Sequence, residues 1–407
     1  MRIRARLDRC DREFIDGWII DDDSPAQKFH LEFHIGAHRI GEAGANRMRE
    51  DLKAAGIGDG AVAFSFSVPQ FLPKFTASEV RIRIAGTDAW VLPEPAAPDE
   101  TVKSIHASPT ISRFGGLWID RADFMDRLAF KHRTGVLDDE LAAQVFRFVR
   151  DGYLVIPSAV PQPLIEALND DIDRVWSNPP EGLQIETFEP DGKMKYLPPD
   201  KKYQAGRTKL LDLFTVSDAA RQVTAAALPM RFLSAIFEDM PKAFQQLTFW
   251  RGSQQAMHKD TAYVKIDSNP LALAATWLAL EDVQPGTGEL EYYVGSHRAP
   301  DFLFGGVSKW MESFTAEHDR FLASLHEDAE RYQHRRSSFL GRAGDVLVWH
   351  SDLAHGGSAI TQPNKTRKSL VTHFTPAGEE PFYRRTANYA EMKTENCVFV
   401  SQYQPIR

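Results

Sequence analysis

From Phe244 onward the chain is a succession of short apolar segments: Phe244–Trp250, Leu271–Leu280, Leu290–Val294, Asp345–His350 and Ser369–Phe374. Runs of this length, rich in β-branched and aromatic residues, read as strands. They follow a helical opening. From Asp138 the apolar residues Leu141, Val145, Phe148 and Val149 form one face behind acidic residues that suit a helix amino terminus. Tyr153-Leu-Val-Ile-Pro is a short strand, and Pro163 begins a helix with Leu164, Leu168, Ile172 and Val175 on its apolar face. Two more helical patterns, 217–227 and 230–238, are divided by Pro229. Helices followed by many antiparallel-looking strands predict a mainly β fold with α: a double-stranded β-helix (a jelly roll of cupin type) with flanking helices on its outer face. Residues 177–210 read as a polar, irregular loop, and Asp301 to Arg336 as a largely helical insert over the barrel or its rim.

Residues 1–95 form a separate pattern. Arg2–Leu7, Lys28–Ile35 and Val80–Ile84 alternate apolar and polar residues, and turn clusters such as Asp21-Asp-Asp-Ser-Pro and Gly58-Asp-Gly lie between them. A small β-sandwich is expected, with one helical piece over Asn46–Ala55. Trp18 and Trp90 are assigned to its core in preference to a sugar platform. His30, His34 and His38 lie close together, but two of them alternate onto the solvent face, so no metal site is expected there. Leu92-Pro-Glu-Pro-Ala-Ala-Pro-Asp-Glu is a linker stiffened by three prolines. The expected organisation is 1–95 accessory domain, 96–112 linker and 113–407 main domain.

Charge and cysteine content narrow the classes. The formal net charge of −8 argues against a general nucleic-acid binder. The two cysteines, Cys10 and Cys397, lie at opposite ends and suggest neither a disulfide framework nor a zinc site. No apolar run is long enough to span a bilayer, and the first residues lack the apolar core of a signal peptide. A cytoplasmic location is expected, and its reducing conditions suit Fe(II).

Chemistry concentrates in two stretches. Gln255-Ala-Met-His-Lys-Asp-Thr-Ala-Tyr carries His258 and Asp260 two apart, in a segment that reads as β, where such side chains share a face. Gly344-Asp-Val-Leu-Val-Trp-His-Ser-Asp-Leu-Ala-His355 supplies a second imidazole. Two histidines and one carboxylate on one side of an ion make the facial triad of non-haem Fe(II) oxygenases. Arg367 lies 12 residues after His355, Trp277 lies 19 after His258, and Gly295-Ser-His-Arg precedes the insert. With Asp151-Gly-Tyr-Leu-Val-Ile-Pro, these motifs make the chain resemble the phytanoyl-CoA dioxygenase family of Fe(II)/2-oxoglutarate oxygenases, from about Gly115 to about Ala377.

The resemblance implies that His258, Asp260 and His355 hold Fe(II). It also implies that Arg367, helped by Ser369, anchors the far carboxylate of 2-oxoglutarate, and that Trp277 walls the co-substrate pocket. An arginine fork suits a carboxylate. Because Asp260 is present where a related halogenase has a small residue, C–H hydroxylation with release of succinate and CO2 is favoured. His350 is read as a packed or supporting residue, and Lys259 as a charge pointing outwards. The accessory domain resembles β-sandwich domains of bacterial surface-glycan synthesis through Gly17-Trp-Ile-Ile-Asp-Asp and Asp51-Leu-Lys-Ala-Ala-Gly-Ile-Gly-Asp-Gly. That favours a small-molecule, sugar or glycan-precursor substrate, with O2. Two alternatives stay open: a glycan-binding protein on a jelly roll that has lost its iron, and the same cofactors with desaturation, epimerisation or ring formation as the outcome.

Overall fold

The structure is a computed structural model describing residues 2–407 except 12, 36–37, 70–71, 73–74, 76, 93–111, 113, 189–192, 312–315 and 383–388. Two compact units emerge: Met1–Ser108 with Ala122–Phe146, and Pro109–Arg121 with Arg147–Arg407. Apart from Ser112, the expected linker 96–112 lies outside the described residues.

The first unit holds β1 (Ile3–Cys10), β2 (Phe14–Asp21), β3 (Phe29–Ile35), β4 (His38–Ala45), α1 (Glu50–Ala54), β5 (Ala63–Ser67), β6 (Val80–Ile84), β7 (Trp90–Leu92) and α2 (Phe124–Arg133). The strands form one sheet of order β1-β2-β5 and another of order β4-β3-β6-β7. Period-2 alternation puts Leu31, Phe33, Val80 and Ile82 inward, and Phe33 stacks on Phe66 of the other sheet at 4.5 Å, as in a sandwich core. Gly17 is required by close packing, since a Cβ there would stand 2.1 Å from the Arg6 carbonyl. Neither tryptophan is fully buried. Trp18 packs on the Ile20, Leu52, Val62 and Ala63 cluster with Arg4 over its ring, while Trp90 is covered by Arg81 and Arg83, whose stems stand where apolar neighbours were expected. His34 is buried beside Trp90, and burial pushes its imidazole down to about 4.

Helix α3 (Asp139–Asp151) leads into the second unit. There follow β8 (Tyr153–Ile156), α4 (Gln162–Ser177), β9 (Gln184–Phe188), β10 (Met194–Leu197), β11 (Lys209–Leu211), α5 (Asp218–Thr224), α6 (Ala227–Phe237) and β12 (Pro241–Phe249). Then come β13 (Ala274–Ala279), β14 (Leu290–Tyr293), α7 (Ala316–Arg331), β15 (Arg336–Phe339), β16 (Val346–His350), β17 (His355–Gly357), β18 (Ser369–Pro376), β19 (Met392–Lys393) and β20 (Val398–Phe399). A large sheet of order β10-β9-β11-β12-β18-β13-β16-β8 faces a small one of order β15-β14-β17. Phe249, Trp277, Leu347, Trp349 and Val371 from the large sheet meet Leu290, Tyr292 and Phe339 from the small one in a single core cluster. This is the jelly roll, mainly β with flanking helices.

Two sequence readings are corrected. Residues 177–210 are not an irregular loop: β9, β10 and β11 extend the large sheet there. Their polar composition hid them, because β9 has only one face covered and β10 neither. Pro229 does not divide two helices. It sits in the first turn of α6, where a missing N–H costs nothing, and the break falls earlier, between Thr224 and Ala227.

Candidate active site

The segment bearing His258 and Asp260 is not a strand, contrary to the sequence reading. His258 makes an isolated antiparallel bridge with His355, through paired backbone bonds of 2.8 and 2.9 Å. Asp260 then opens a short 3-10 turn closed by the Tyr263 and Val264 amides on its carbonyl. Convergence therefore comes from a cross-chain bridge followed by a turn, not from strand alternation. His355 itself starts β17, which pairs with β14.

All three side chains are buried, and their ligand atoms lie within 4.8 Å of one another. Asp260 Oδ1 stands 3.9 Å from His258 Nε2 and 3.6 Å from His355 Nε2. Two donors of one first-row ion cannot be more than about 4.2 Å apart, and these pairs satisfy that limit. The hydrogen bonds around them sort donor from acceptor. His258 Nδ1–H donates to the Ala256 carbonyl at 2.8 Å and His355 Nδ1–H to the Leu353 carbonyl at 2.9 Å. Both Nε2 atoms therefore keep their lone pairs for the shared centre. Gln255 Nε2 stands 3.2 Å from His258 Nε2 and donates to that lone pair, a contact that a bound ion would replace. Asp260 Oδ2 accepts from Trp349 Nε1 at 2.6 Å, which leaves Oδ1 facing the histidines.

Burial pushes His258 down to about 3, helped by His355 and opposed by Asp260. For Asp260 burial acts upward, but His355, His373 and His258 outweigh it and hold the carboxyl well below the usual range. A neutral His258 imidazole beside an anionic Asp260 carboxylate suits a metal ligand set.

From this centre a pocket runs between the two sheets, lined by Leu247, Phe249, Gln255, Trp277, Leu290, Val371 and His373, to Arg367. Arg367 is 3% exposed. Its Nη1 donates to Ser369 Oγ at 2.5 Å, and its guanidinium lies 5.1 Å from the Trp277 ring and 5.7 Å from that of Phe249. No carboxylate pairs with it among the described residues, and its Nε has no partner. Burial pushes it down to about 10 against the raising influence of Glu281 and Glu289. A buried fork without its anion fits a carboxylate-bearing co-substrate, just as the lone pairs of the three donors fit an ion.

Several participants escaped the sequence reading. Trp349 alternates inward with Leu347 on β16, a period-2 signal that was available. His373 lines the pocket with Nε2 3.5 Å from Asp260 Oδ2. Lys259 does not point outwards: it is 5% exposed, and burial lowers its pKa. The turn at Asp260 directs it towards the buried charges Asp352 and Lys309, which the exposed Asp301 caps from the surface. Asp352 accepts from Thr261 Oγ1 at 2.6 Å and from the Lys309 ammonium, and Lys309 also bonds Asp301 at 2.5 Å. Asp352 thus ties the His258–Asp260 turn to the loop leading to His355. His350 bonds Asp120 at 3.0 Å rather than either ligand histidine.

Two imidazoles and a carboxylate, opening on a pocket with a buried arginine at its far end, define the donor class of non-haem iron oxygenases. Residues 148–369 match the phytanoyl-CoA dioxygenase (PhyH) family. The chain belongs to that family, whose cofactor pair is iron and 2-oxoglutarate. Among solved structures it is similar to the non-heme alpha ketoglutarate dependent carbocyclase SnoK from nogalamycin biosynthesis, at 17% identity over 58% of this chain and 85% of that one, with TM-score 0.44. EctD from S. alaskensis, with 2-oxoglutarate and 5-hydroxyectoine, is 18% identical over 57% and 74%, with TM-score 0.43. AviO1 from Streptomyces viridochromogenes Tue57 is 17% identical over 60% and 97%, with TM-score 0.40. No curated protein matches the chain. Among the described residues no helix is long and apolar enough to cross a membrane.

Proposed function

We propose that this chain is an Fe(II)- and 2-oxoglutarate-dependent dioxygenase. It hydroxylates a C–H bond of a small organic molecule, a sugar or a glycolipid precursor, consumes O2 and releases succinate and CO2. One observation carries this reading. Three donors with their lone pairs turned to one point stand at one end of a pocket, and an arginine without a carboxylate partner stands at the other.

Iron held at that point supplies the oxygen chemistry; the residues around it bind, orient and exclude water. His258, Asp260 and His355 hold the ion, with Trp349 fixing which carboxylate oxygen faces it. Arg367 and Ser369 receive the far carboxylate of 2-oxoglutarate, and Trp277 with Phe249 keeps that charge pair dry. Asp260 fills the position a halide would need, which favours hydroxylation. In this reading residues 113–407 are the catalytic domain, 96–112 the linker and 1–95 the accessory domain, acting in the cytoplasm.

The test is anaerobic titration of the purified protein with Fe(II) and then 2-oxoglutarate. One Fe(II) per chain and a weak visible charge-transfer band are expected, and both vanish in His258→Ala and His355→Ala. Full iron affinity in either variant would remove the triad assignment. Succinate release across sugar nucleotides, acyl thioesters and amino acids then narrows the substrate.

A further inference from the structure

The pocket face of the large sheet does not end at β12. Directly opposed residues of neighbouring strands share a face. Phe249, a pocket wall, opposes Lys209 on β11; Lys209 opposes Glu186 on β9; Glu186 opposes Tyr196 on β10. One step along, Phe188 opposes Met194. Three strands at about 4.8 Å carry this face roughly 14 Å beyond β12.

Beyond the Lys209–Glu186 pair, its outer end is apolar and uncovered. Phe188 is 42% exposed, Met194 48% and Tyr196 47%. Tyr403 lies 5.8 Å from Tyr196, and its hydroxyl accepts from Gln245 Nε2 at 3.2 Å. Gln245 opposes His373, which lines the pocket. The pocket face therefore runs to the sheet edge through Gln245 and the Lys209–Glu186 pair, with aromatic side chains at both ends. Beside it the exposed Arg207 guanidinium lies 5.4 Å from the Phe188 ring and pairs with no carboxylate among the described residues. Lys209, by contrast, is neutralised by Glu186 at 2.6 Å.

Sheet edges usually carry charge to discourage association, and exposed apolar clusters mark binding surfaces. In a chain of net charge −8, a stacked, unpaired arginine beside such a cluster selects an anion. We infer that β11, β9 and β10 form the recognition wall for the organic substrate, and that this substrate is an extended anionic amphiphile. Its acidic group meets Arg207, its apolar body lies along Phe188, Met194 and Tyr196, and its other end reaches the pocket. This rests on the oxygenase reading and names the substrate class for the same site.

The experiment titrates the full chain, loaded with Fe(II) and 2-oxoglutarate without oxygen, with monomeric dodecyl phosphate, dodecanol and dodecyltrimethylammonium, followed by calorimetry. Dodecyl phosphate should bind at least about tenfold more tightly than the other two, the advantage of one charge-assisted contact. Arg207→Glu should erase that preference, while Phe188→Ser/Tyr196→Ser should weaken all three probes. Equal affinity for the three probes, or an unchanged preference in Arg207→Glu, overturns the inference. So does a wild-type protein that sediments with phosphatidylglycerol vesicles yet ignores monomeric dodecyl phosphate, which would make the edge a membrane contact. Failure of Fe(II) and 2-oxoglutarate to bind would instead strike the oxygenase reading; intact co-substrate binding without dodecyl phosphate binding strikes only this inference.

Discussion

Replacing Arg367 separates two effects that normally travel together. In the protein without co-substrate, Arg367 is a buried cation with no carboxylate partner among the described residues, pushed down to about 10 from an ordinary 12.5. A base whose folded pKa is depressed costs stability wherever it is charged, here at all pH values below about 10. The difference corresponds to something on the order of 3 kcal/mol. Arg367→Met keeps most of the volume and removes the charge, so the co-substrate-free protein should be as stable as wild type or more stable. Co-substrate binding should respond in the opposite direction. Breaking one side of a buried charge pair typically costs about 3–5 kcal/mol, two to three orders of magnitude or somewhat more in affinity. Arg367→Lys should recover only part of this, because a point charge cannot reproduce the fork. Ser369→Ala, losing one hydrogen bond, should cost about 1 kcal/mol. The assay pairs denaturant unfolding with anaerobic 2-oxoglutarate titration of the Fe(II) protein for each variant. Wild-type co-substrate affinity in Arg367→Met would refute the anchor assignment, and a marked loss of stability without co-substrate would refute the electrostatic account.

Further outcomes follow from the same geometry. Asp260→Ala should retain partial iron binding through the two histidines but lose nearly all substrate hydroxylation, and unchanged turnover would identify another carboxylate as the ligand. Asp352→Asn should weaken iron binding although Asp352 touches no ligand atom, because it joins Thr261, Lys309 and the loop before His355. Lys309→Met in that background should restore part of the lost stability, and an Asp352→Asn protein with wild-type iron affinity would exclude the positioning role. Asp212 is fully buried, and burial raises its carboxyl to about 7 against the hydrogen bonds from Ser401 and Gln246. Its folded pKa lies above its unfolded one, so its share of stability is complete below about pH 4 and fades until about pH 7, by up to about 4 kcal/mol. Asp212→Asn should flatten that window in unfolding measured across pH, and an unaltered slope would contradict it. A fragment of residues 113–407 should keep iron and 2-oxoglutarate binding, since every donor lies in the second unit; a folded fragment without iron affinity would count against that domain boundary.

How much of this was legible beforehand depended on what kind of signal each residue left. Apolar period and ordered motifs are local, so the strands around Phe249, Trp277, Leu347 and Val371, and the spacing of His258, Asp260, His355 and Arg367, could be read directly from the chain. Strand β9 is a weaker case. It alternates too, but its pocket face carries Gln184 and Glu186, and a strand that buries only one face resembles a polar loop in composition. The Asp260 turn gave no warning at all. A tripeptide cannot tell whether its first residue will be held by a bridge to a segment almost a hundred positions away, and that bridge is what turned Lys259 inward.

The amino-acid sequence by itself determined the fold class, the residue types available for a metal and an anion, and their order, because these follow from period, chemistry and spacing along one chain. Only the tertiary structure decided which oxygen of Asp260 faces the histidines, that both imidazoles present Nε2, and that Arg367 is buried without a carboxylate. Those are properties of orientation and desolvation. They arise when the bridge between His258 and His355 and the facing of the two sheets bring distant segments together, and neither has a counterpart in the chain before it folds.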